Sequence, residues 1–272
     1  LGRDHVAAFD PMAVAGFDDK HIAAFDTEAM AGFRADHVAA LDATAIAGLD
    51  RDQFAAFDPS AMAGFKADHF AAIDYGYMTA LGRDHVAAFD PMAVAGFDHT
   101  HAAAFDPMAV AGFDPEHVAA FDPMAVAGFD HTHFAAFDPM AVAGFDPMHV
   151  AAFAPTAVAG FGKDQIAAFA PTAMEGFDPT HIAAFDAEAM SGFKGQTLKE
   201  LDPESFAAVT PDQLAKMAPD AAAAVKNWVL PKDDIIRWEG GLRGPDGAWM
   251  TAESFFDKRT TGDKPVVATV WT

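Results

Sequence analysis

The chain has 272 residues, no cysteine and a formal net charge of −23. Nucleic acids and anionic lipids are poor partners for so acidic a chain, because lysine and arginine must neutralise their phosphates. Without cysteine there is neither a disulfide framework nor a thiolate metal site, and no apolar run approaches the ~20 residues of a membrane span, so we expect no membrane insertion.

Large apolar residues recur at every eighth position from Leu1 to Val225, without a single insertion. These eight-residue units, here called octads, alternate between two kinds. One kind reads Phe-Asp-Pro-Met-Ala-Val-Ala-Gly and is called a glycine octad; the other reads Phe-x-x-x-His-Val-Ala-Ala and is called a histidine octad. A short, fixed period of this kind is typical of solenoids, in which each unit stacks on its neighbours.

Each octad is predicted to form one short helix. A continuous helix is excluded, since eight residues advance a helix by about 80° beyond whole turns and the phenylalanines would spiral around every face. The octad that begins at Phe105 has Asp106 as N-cap, Pro107 in the first turn and Gly112 for a left-handed stop. Asp occupies this N-cap position in 18 octads, which we interpret as helix capping rather than as a calcium site.

The predicted fold is all-α. It is a thin solenoid over residues 1–225, with one helix per octad and two helices, or sixteen residues, per coil. Helices this short are unstable alone in water, so stacking has to hold them. The first residue of each octad and the Val, Ile or Met five positions later supply the buried ladder, while alanine and glycine allow close approach between helices.

The octad IDYGYMTA departs from both kinds, because Tyr75, Gly76 and Tyr77 stand where helix-start residues are expected. Tyr75 and Tyr77 are the two tyrosines of the chain. We interpret the octad as a tolerated irregularity or a local bend, and alternatively as an interaction patch formed by the two tyrosines.

The eight-residue register ends after Val225, and residues 226–272 have a different composition. Within them GPDG indicates a turn and PVVATVWT indicates a strand. We predict a small mixed α/β cap or the start of a second domain, since a solenoid has to cover its last apolar face. The alternative is a partner interface formed by the four tryptophans of the chain, Trp228, Trp238, Trp249 and Trp271.

Ten of the 12 histidines lie on a sixteen-residue lattice, the fifth position of the histidine octads, and Gln53 and Gln165 take this position in two further octads. The lattice residue stands three residues after the N-cap, where a capping-box side chain bonds back to the N-cap amide. Because glutamine replaces histidine and is a poor metal ligand, capping is the favoured interpretation. A response to acid is a further hypothesis, since histidine titrates near pH 6.5.

A divalent transition metal is the rival partner of the histidines. Neighbouring lattice histidines, one coil apart, are too distant to share a zinc ion, whose ligand bonds are ~2.1 Å long. Two local groups are better candidates, each with an aspartate and a His-x-His pair: Asp98, His99 and His101, and Asp130, His131 and His133. No other cofactor is predicted.

The octad VTPDQLAK at Val209, together with LDPESFAA and the two FDPxHVAA units, resembles octapeptide repeats of the LTPEQIAA or LTTDQIAA type. Such repeats occur in large bacterial surface and adhesin-like proteins. The resemblance covers residues 1–225 and implies a repetitive extracellular or cell-surface segment without catalytic residues. The chain departs from the pattern by using Phe for Leu, Asp for Thr and His for Gln.

An enzyme is not predicted, because no nucleophile and base share a unique setting and there is neither a phosphate loop nor a cofactor fingerprint. The sequence favours a non-enzymatic structural or interaction module. It would be a rigid acidic rod, a spacer, surface-layer, adhesin-stalk or filament component, that associates with itself or with a protein partner. The alternatives are a His- and Asp-rich protein that binds zinc, copper or nickel, and an elongated scaffold that binds a protein or a polysaccharide.

Overall fold

The computed structural model describes residues 2–198, 200–201, 205, 208–218, 221, 242–243 and 249–250. Most octads among them form a short α-helix, with these bounds: α1 Arg3–Ala7, α2 Pro11–Val14, α3 Asp19–Ala23, α4 Thr27–Met30, α5 Ala35–Ala40, α6 Ala43–Ile46, α7 Arg51–Ala55, α8 Ala67–Phe70, α9 Arg83–Val86, α10 Pro91–Val94, α11 His99–Ala104, α12 Pro107–Val110, α13 Pro115–Ala120, α14 Pro123–Val126, α15 His131–Ala136, α16 Pro139–Val142, α17 Pro147–Ala151, α18 Lys163–Ile166, α19 Pro179–Ala184, α20 Gly195–Leu198 and α21 Pro211–Lys216. Other octads form 3₁₀ helices instead, at Pro59–Gly64, Tyr75–Ala80, Val158–Gly160, Pro171–Gly176 and Ala189–Gly192. The prediction of an all-helical repeat with one helix per octad is confirmed.

The helices begin as the sequence predicts, with an aspartate at the N-cap. Before α12, Asp106 is extended and its carboxylate accepts a hydrogen bond of 2.8 Å from the amide of Met108, while Pro107 is the first helical residue. Proline suits this position because its missing N–H would have no partner there. A cap of this kind stabilises a helix by about 1 kcal/mol, which matters for a helix of little more than one turn.

The turn of the solenoid is larger than predicted. Helices that pack against each other lie about 24 residues, or three octads, apart along the chain: α2 with α5, α5 with Pro59–Gly64, and α10 with α13. The predicted coil of two helices and sixteen residues is therefore corrected to three helices and 24 residues. The alternation of octads is a pattern of composition with a period of two octads. The number of helices in a turn depends instead on the angle between successive helices, and the alternation does not determine that angle.

The core of the solenoid is a continuous column of phenylalanine rings. Successive first-position rings meet edge to face, as in Phe105–Phe113 with ring centroids 5.5 Å apart and Phe129–Phe137 with centroids 5.2 Å apart. Ring contacts run without a break from Phe9 to Phe193. Each such pair adds about 0.5–1.5 kcal/mol beyond the area it buries. The residue five positions after each ring, a Val, Ile or Met in most octads and Phe70 or Phe134 in others, is also buried, which confirms the predicted ladder.

Gly112 does not end its helix with a left-handed residue, contrary to the prediction. Neither Gly112 nor the equivalent glycines of the other octads have φ in the left-handed region. A Cβ atom on Gly112 would instead lie 2.9 Å from the amide nitrogen of Ala87 and 3.0 Å from the Cβ of Val86, and closer still to the carbonyl oxygen of Arg83. Glycine is required here because two backbones of adjacent turns are in contact.

Beyond the repeat, the structure describes two short strands, β1 Leu242–Arg243 and β2 Trp249–Met250, which pair antiparallel. They flank the predicted GPDG turn, whose residues lie outside the described part of the chain, as do the predicted strand at 265–272 and Trp228, Trp238 and Trp271. The boundary between residues 225 and 226 stays a prediction, and so does the cap. Among the helices described, none is long and apolar enough to cross a membrane.

Candidate functional site

The lattice histidines cap their own helices, as the sequence predicts. In α13 the amide of Asp114 donates to Nδ1 of His117 over 3.2 Å, and the carboxylate of Asp114 accepts from the amide of His117 over 3.0 Å. The same reciprocal pair begins α3, α11, α15, α17 and α19. Two orphan amides of the first turn are satisfied in this way.

The second ring nitrogen of each buried lattice histidine makes a bond that the sequence analysis missed. Nε2 of His117 lies 2.9 Å from the carbonyl oxygen of Phe89, which is 28 residues earlier and on the adjacent turn of the solenoid. Seven further bonds of this type join successive turns, made by His37, His69, His85, His101, His133, His149 and His181 over 2.9–3.2 Å. The histidine therefore joins two turns as well as capping one helix.

Other side chains at the fifth octad position make the same bond. The side-chain amide of Gln53 accepts from the amide of Asp50 and donates to the carbonyls of Ile22 and Phe25. Gln165 and Gln213 form equivalent sets, and the hydroxyls of Tyr77 and Ser205 each donate to a carbonyl 28 residues earlier. These residues share a side chain that can donate a hydrogen bond. A donor that recurs at the fifth octad position is the sequence signal from which a bond between turns could have been predicted.

The N-cap residue gives the lattice histidines two different surroundings. With an aspartate cap, Nδ1 lies close to a carboxylate oxygen, 2.8 Å for His101, His117, His133 and His149 and 3.0 Å for His181. With a cap of Arg34, Lys66 or Gly82, Nδ1 faces only the backbone amide, at 3.3 Å.

Cationic N-cap residues replace the lost carboxylate with a different contact. Nζ of Lys66 donates to the carbonyl of Ala39 over 2.5 Å, and Nζ of Lys194 donates to the carbonyl of Ala167 over 2.7 Å. The guanidinium of Arg34 donates in the same way to Ala7. Each cation thus satisfies a carbonyl in the last turn of a helix on the adjacent turn, where a positive charge is favourable.

The aspartates that cap α11 and α15 are held in their ionised form. Hydrogen bonds from the hydroxyl of Thr100, 2.5 Å long, and from the amide of His101 hold the pKa of the Asp98 carboxyl well below its usual range. Partial burial raises the pKa of Asp130, but the hydrogen bonds from Thr132 and His133 outweigh it and the net direction is downward. These two carboxylates therefore keep their capping role through mild acid.

The two candidate metal groups, Asp98 with His99 and His101 and Asp130 with His131 and His133, open helices α11 and α15. His99 and His131 are exposed, but both ring nitrogens of His101 already have partners, the Asp98 cap and the carbonyl of Ile73. His133 is engaged in the same way. Across the described residues, no group of three or more His, Asp or Glu side chains is placed to hold a metal ion.

The tyrosines of the irregular octad separate into an inner and an outer residue. The hydroxyl of Tyr77 donates to the carbonyl of Leu49 over 2.9 Å, its ring packs against Phe54, and burial raises its pKa. Tyr75 is 54% exposed and remains available to a partner. Trp249 lies in β2, and the role of the four tryptophans stays a prediction.

Exposed methionines are a surface feature that the sequence analysis did not single out. Six of them, all in the fourth octad position, are 68–87% exposed: Met12, Met92, Met108, Met124, Met140 and Met148. The same position holds Glu28, Thr100 or Glu116 in other octads, so the fold does not require an apolar side chain there. Their sequence signal is the recurring Asp-Pro-Met, in which the aspartate and the proline suffice to predict a helix start.

The chain matches no family model and no curated protein. Its tandem repeat is evident from the regular short helices, while its relation to the octapeptide repeats of bacterial surface proteins stays a prediction.

Proposed function

We propose that the chain is a non-enzymatic structural module, a rigid acidic rod that serves as a spacer or stalk and carries residues 226–272 at one end. The observation that supports it is the repeated coupling of each turn to the next, by ring contacts in the core and by side-chain bonds to carbonyls 28 residues earlier. Repeat proteins stabilised in this way hold their length and direction without a central pocket.

The proposal extends to location and partners. A net charge of −23 keeps copies apart unless a specific surface brings them together. We propose an extracellular or cell-surface setting, on the strength of the octad resemblance, and a protein partner or a second copy as the bound molecule. The exposed methionines favour a protein partner, because methionine side chains adapt to irregular apolar surfaces.

Small-angle scattering of a shortened chain tests the rod. Removing residues 97–144 deletes six octads, keeps the alternation of octads and removes two turns. The maximum dimension should fall by about 16–20 Å, taking one helix spacing of ~8–10 Å per turn, while the cross-section stays the same. A globule, whose dimension would shrink in all directions, contradicts the proposal.

A matched deletion provides the control. Removing residues 97–140 deletes four residues fewer but shifts every later phenylalanine out of the eight-residue register. We expect this variant to lose helical structure, which circular dichroism measures directly. If both deletions fold equally well, the register does not hold the rod together.

Deleting residues 226–272 separates the two roles proposed for the tail. A cap predicts that the octads nearest the tail exchange their amide hydrogens faster after the deletion. A head that binds a partner predicts unchanged exchange in the solenoid and loss of binding only.

A further inference from the structure

From residue 33 onward, the lattice histidines divide into two groups along the chain according to the residue that caps their helix. In residues 33–88 the cap is a cation or a glycine: Arg34 for His37, Lys66 for His69 and Gly82 for His85. In residues 97–184 each lattice histidine follows an aspartate cap: His101, His117, His133, His149 and His181. The N-cap carboxylate that lies beside the lattice histidine in residues 97–184 is therefore missing from the three sites in residues 33–88.

The site of His69 fits only a neutral ring. The amide of Lys66 donates to Nδ1 over 3.3 Å, so Nδ1 has to accept and the single ring proton has to sit on Nε2, which donates to the carbonyl of Leu41 over 3.1 Å. His69 is 0% exposed. A proton added to Nδ1 would point at the hydrogen of an amide, beside a lysine and out of reach of water.

The carboxylates around His69 are not placed to accept that proton. Asp68 is on the same helix, but its nearest oxygen is 4.0 Å from Nε2, which already donates to a carbonyl. Asp42 caps α6 and Asp90 caps α10, the helices packed on either side of α8. Burial lowers the pKa of His69, and the attraction of Asp68 and Asp42 only partly opposes it.

His37 and His85 have comparable surroundings. His37 is 0% exposed, with Arg34 and Asp36 on its own helix, and Asp10 and Asp58 at the starts of the helices packed against it. Asp36 is turned toward Arg34, to which it is bonded over 2.9 Å. His85 is half-buried, and its charged neighbours are Arg83 and Asp84 on its own helix and Asp58 and Asp106 on the adjacent turns.

In the aspartate-capped group, a carboxylate stands in place to accept a second ring proton, which would displace the bond that Nδ1 accepts from the N-cap amide. Nδ1 of His117 lies 2.8 Å from Oδ1 of Asp114, and Nε2 lies 2.9 Å from the carbonyl oxygen of Phe89. A doubly protonated ring would have an acceptor on each side. The remaining charges on its own and the adjacent helices are also negative, Glu116, Asp90 and Asp138.

We propose that mild acid divides the solenoid into two parts, loosening residues 33–88 at the turns joined by His37, His69 and His85 and leaving residues 97–184 closed. The device is a conformational one that depends on the N-cap residue. It would let one part of the rod bend or open while the other part keeps its length, and it does not depend on what the rod carries.

Hydrogen exchange read by mass spectrometry tests the division directly. Exchange is compared at pH 7.5 and 5.5, with labelling times scaled for the change in intrinsic rate. Residues 65–72 should open more often at pH 5.5 than at pH 7.5, by a factor of at most about ten, because pH 5.5 is one unit below the ordinary histidine pKa of ~6.5. Residues 97–184 should show no such increase. Equal acceleration in both parts, or none in either, overturns the proposal.

Three substitutions identify the cause. His69→Gln keeps both bonds, as Gln53 shows, and should abolish the acid response of α8. Lys66→Asp supplies a carboxylate and should reduce it, while Asp114→Lys removes one and should create a response at α13. Each variant is compared with itself at pH 7.5, so a general loss of stability is not mistaken for the effect. If His69→Gln retains the response, or Asp114→Lys gains none, the N-cap residue is not the switch.

Discussion

Alanine at Gly96 is expected to force two turns of the solenoid apart. The added methyl carbon would lie 2.7 Å from the Cα and the carbonyl carbon of Ala67, and closer still to its carbonyl oxygen. Ordinary contact begins at 3.4 Å, so the two backbones have to separate by at least about 0.7 Å. Overpacking of this kind costs about 1–3 kcal/mol, which should appear as a lower urea midpoint in circular dichroism.

The control is built into the sequence, because residues 2–18 and 82–98 are identical. Gly16 has the same neighbours in the chain as Gly96, but its nearest atom to an added Cβ is the carbonyl oxygen of Ala13, 3.6 Å away. Gly16→Ala should therefore be neutral or stabilising by up to about 1 kcal/mol. Hydrogen exchange in each substituted octad reports the local effect, and equal changes at the two positions would refute the reasoning.

Three further predictions concern the lattice, the caps and the core. His117→Ala leaves the amide of Asp114 and the carbonyl of Phe89 without a partner, and should cost about 1–3 kcal/mol in urea unfolding, while His117→Gln should cost far less. The pKa of Asp98 is lowered in the folded chain, so its cap contributes fully to the free energy of unfolding above the unfolded pKa of ~3.8, and this contribution is lost as the pH falls below that value. The melting temperatures of wild type and Asp98→Ala should therefore converge only below about pH 3.8. Phe129→Ala should cost about 3–5 kcal/mol, against less than about 0.5 kcal/mol for Met108→Ala, and similar urea midpoints for the two would contradict the ring column.

The sequence predicts well the contacts that form within a single helix. Asp106, Pro107 and His117 act within one helix, through bonds that span two or three residues, and such contacts follow from residue type alone. The number of helices per turn could not be read in the same way. It depends on which octads meet, and the bonds that join them span 28 residues, from Nε2 of His117 to Phe89 for example.

Gly112 shows why a prediction from the sequence alone can be wrong. A glycine after a short helix is the usual sign of a left-handed C-cap, and Gly112 stands at that place. The alternative cause, contact with the backbone of Arg83 on the adjacent turn, requires knowledge of the turn itself. In the Tyr77 octad, the tyrosine hydroxyl makes the carbonyl bond that histidine makes elsewhere, which is the physical reason why the repeat tolerates this irregular sequence.

A turn of three octads has a consequence for how the surface can evolve. The identical segments 2–18 and 82–98 are ten octads apart, which is three turns and one helix more, so the two copies face different sides. The two GFDHTH segments, at Gly96 and Gly128, are four octads apart, which is one turn and one helix more, so they also face different sides of the solenoid. Tandem duplication in these steps spreads any surface motif around the axis instead of lining it up. Such a rod offers similar surfaces in three directions, and a partner can approach it from any of them.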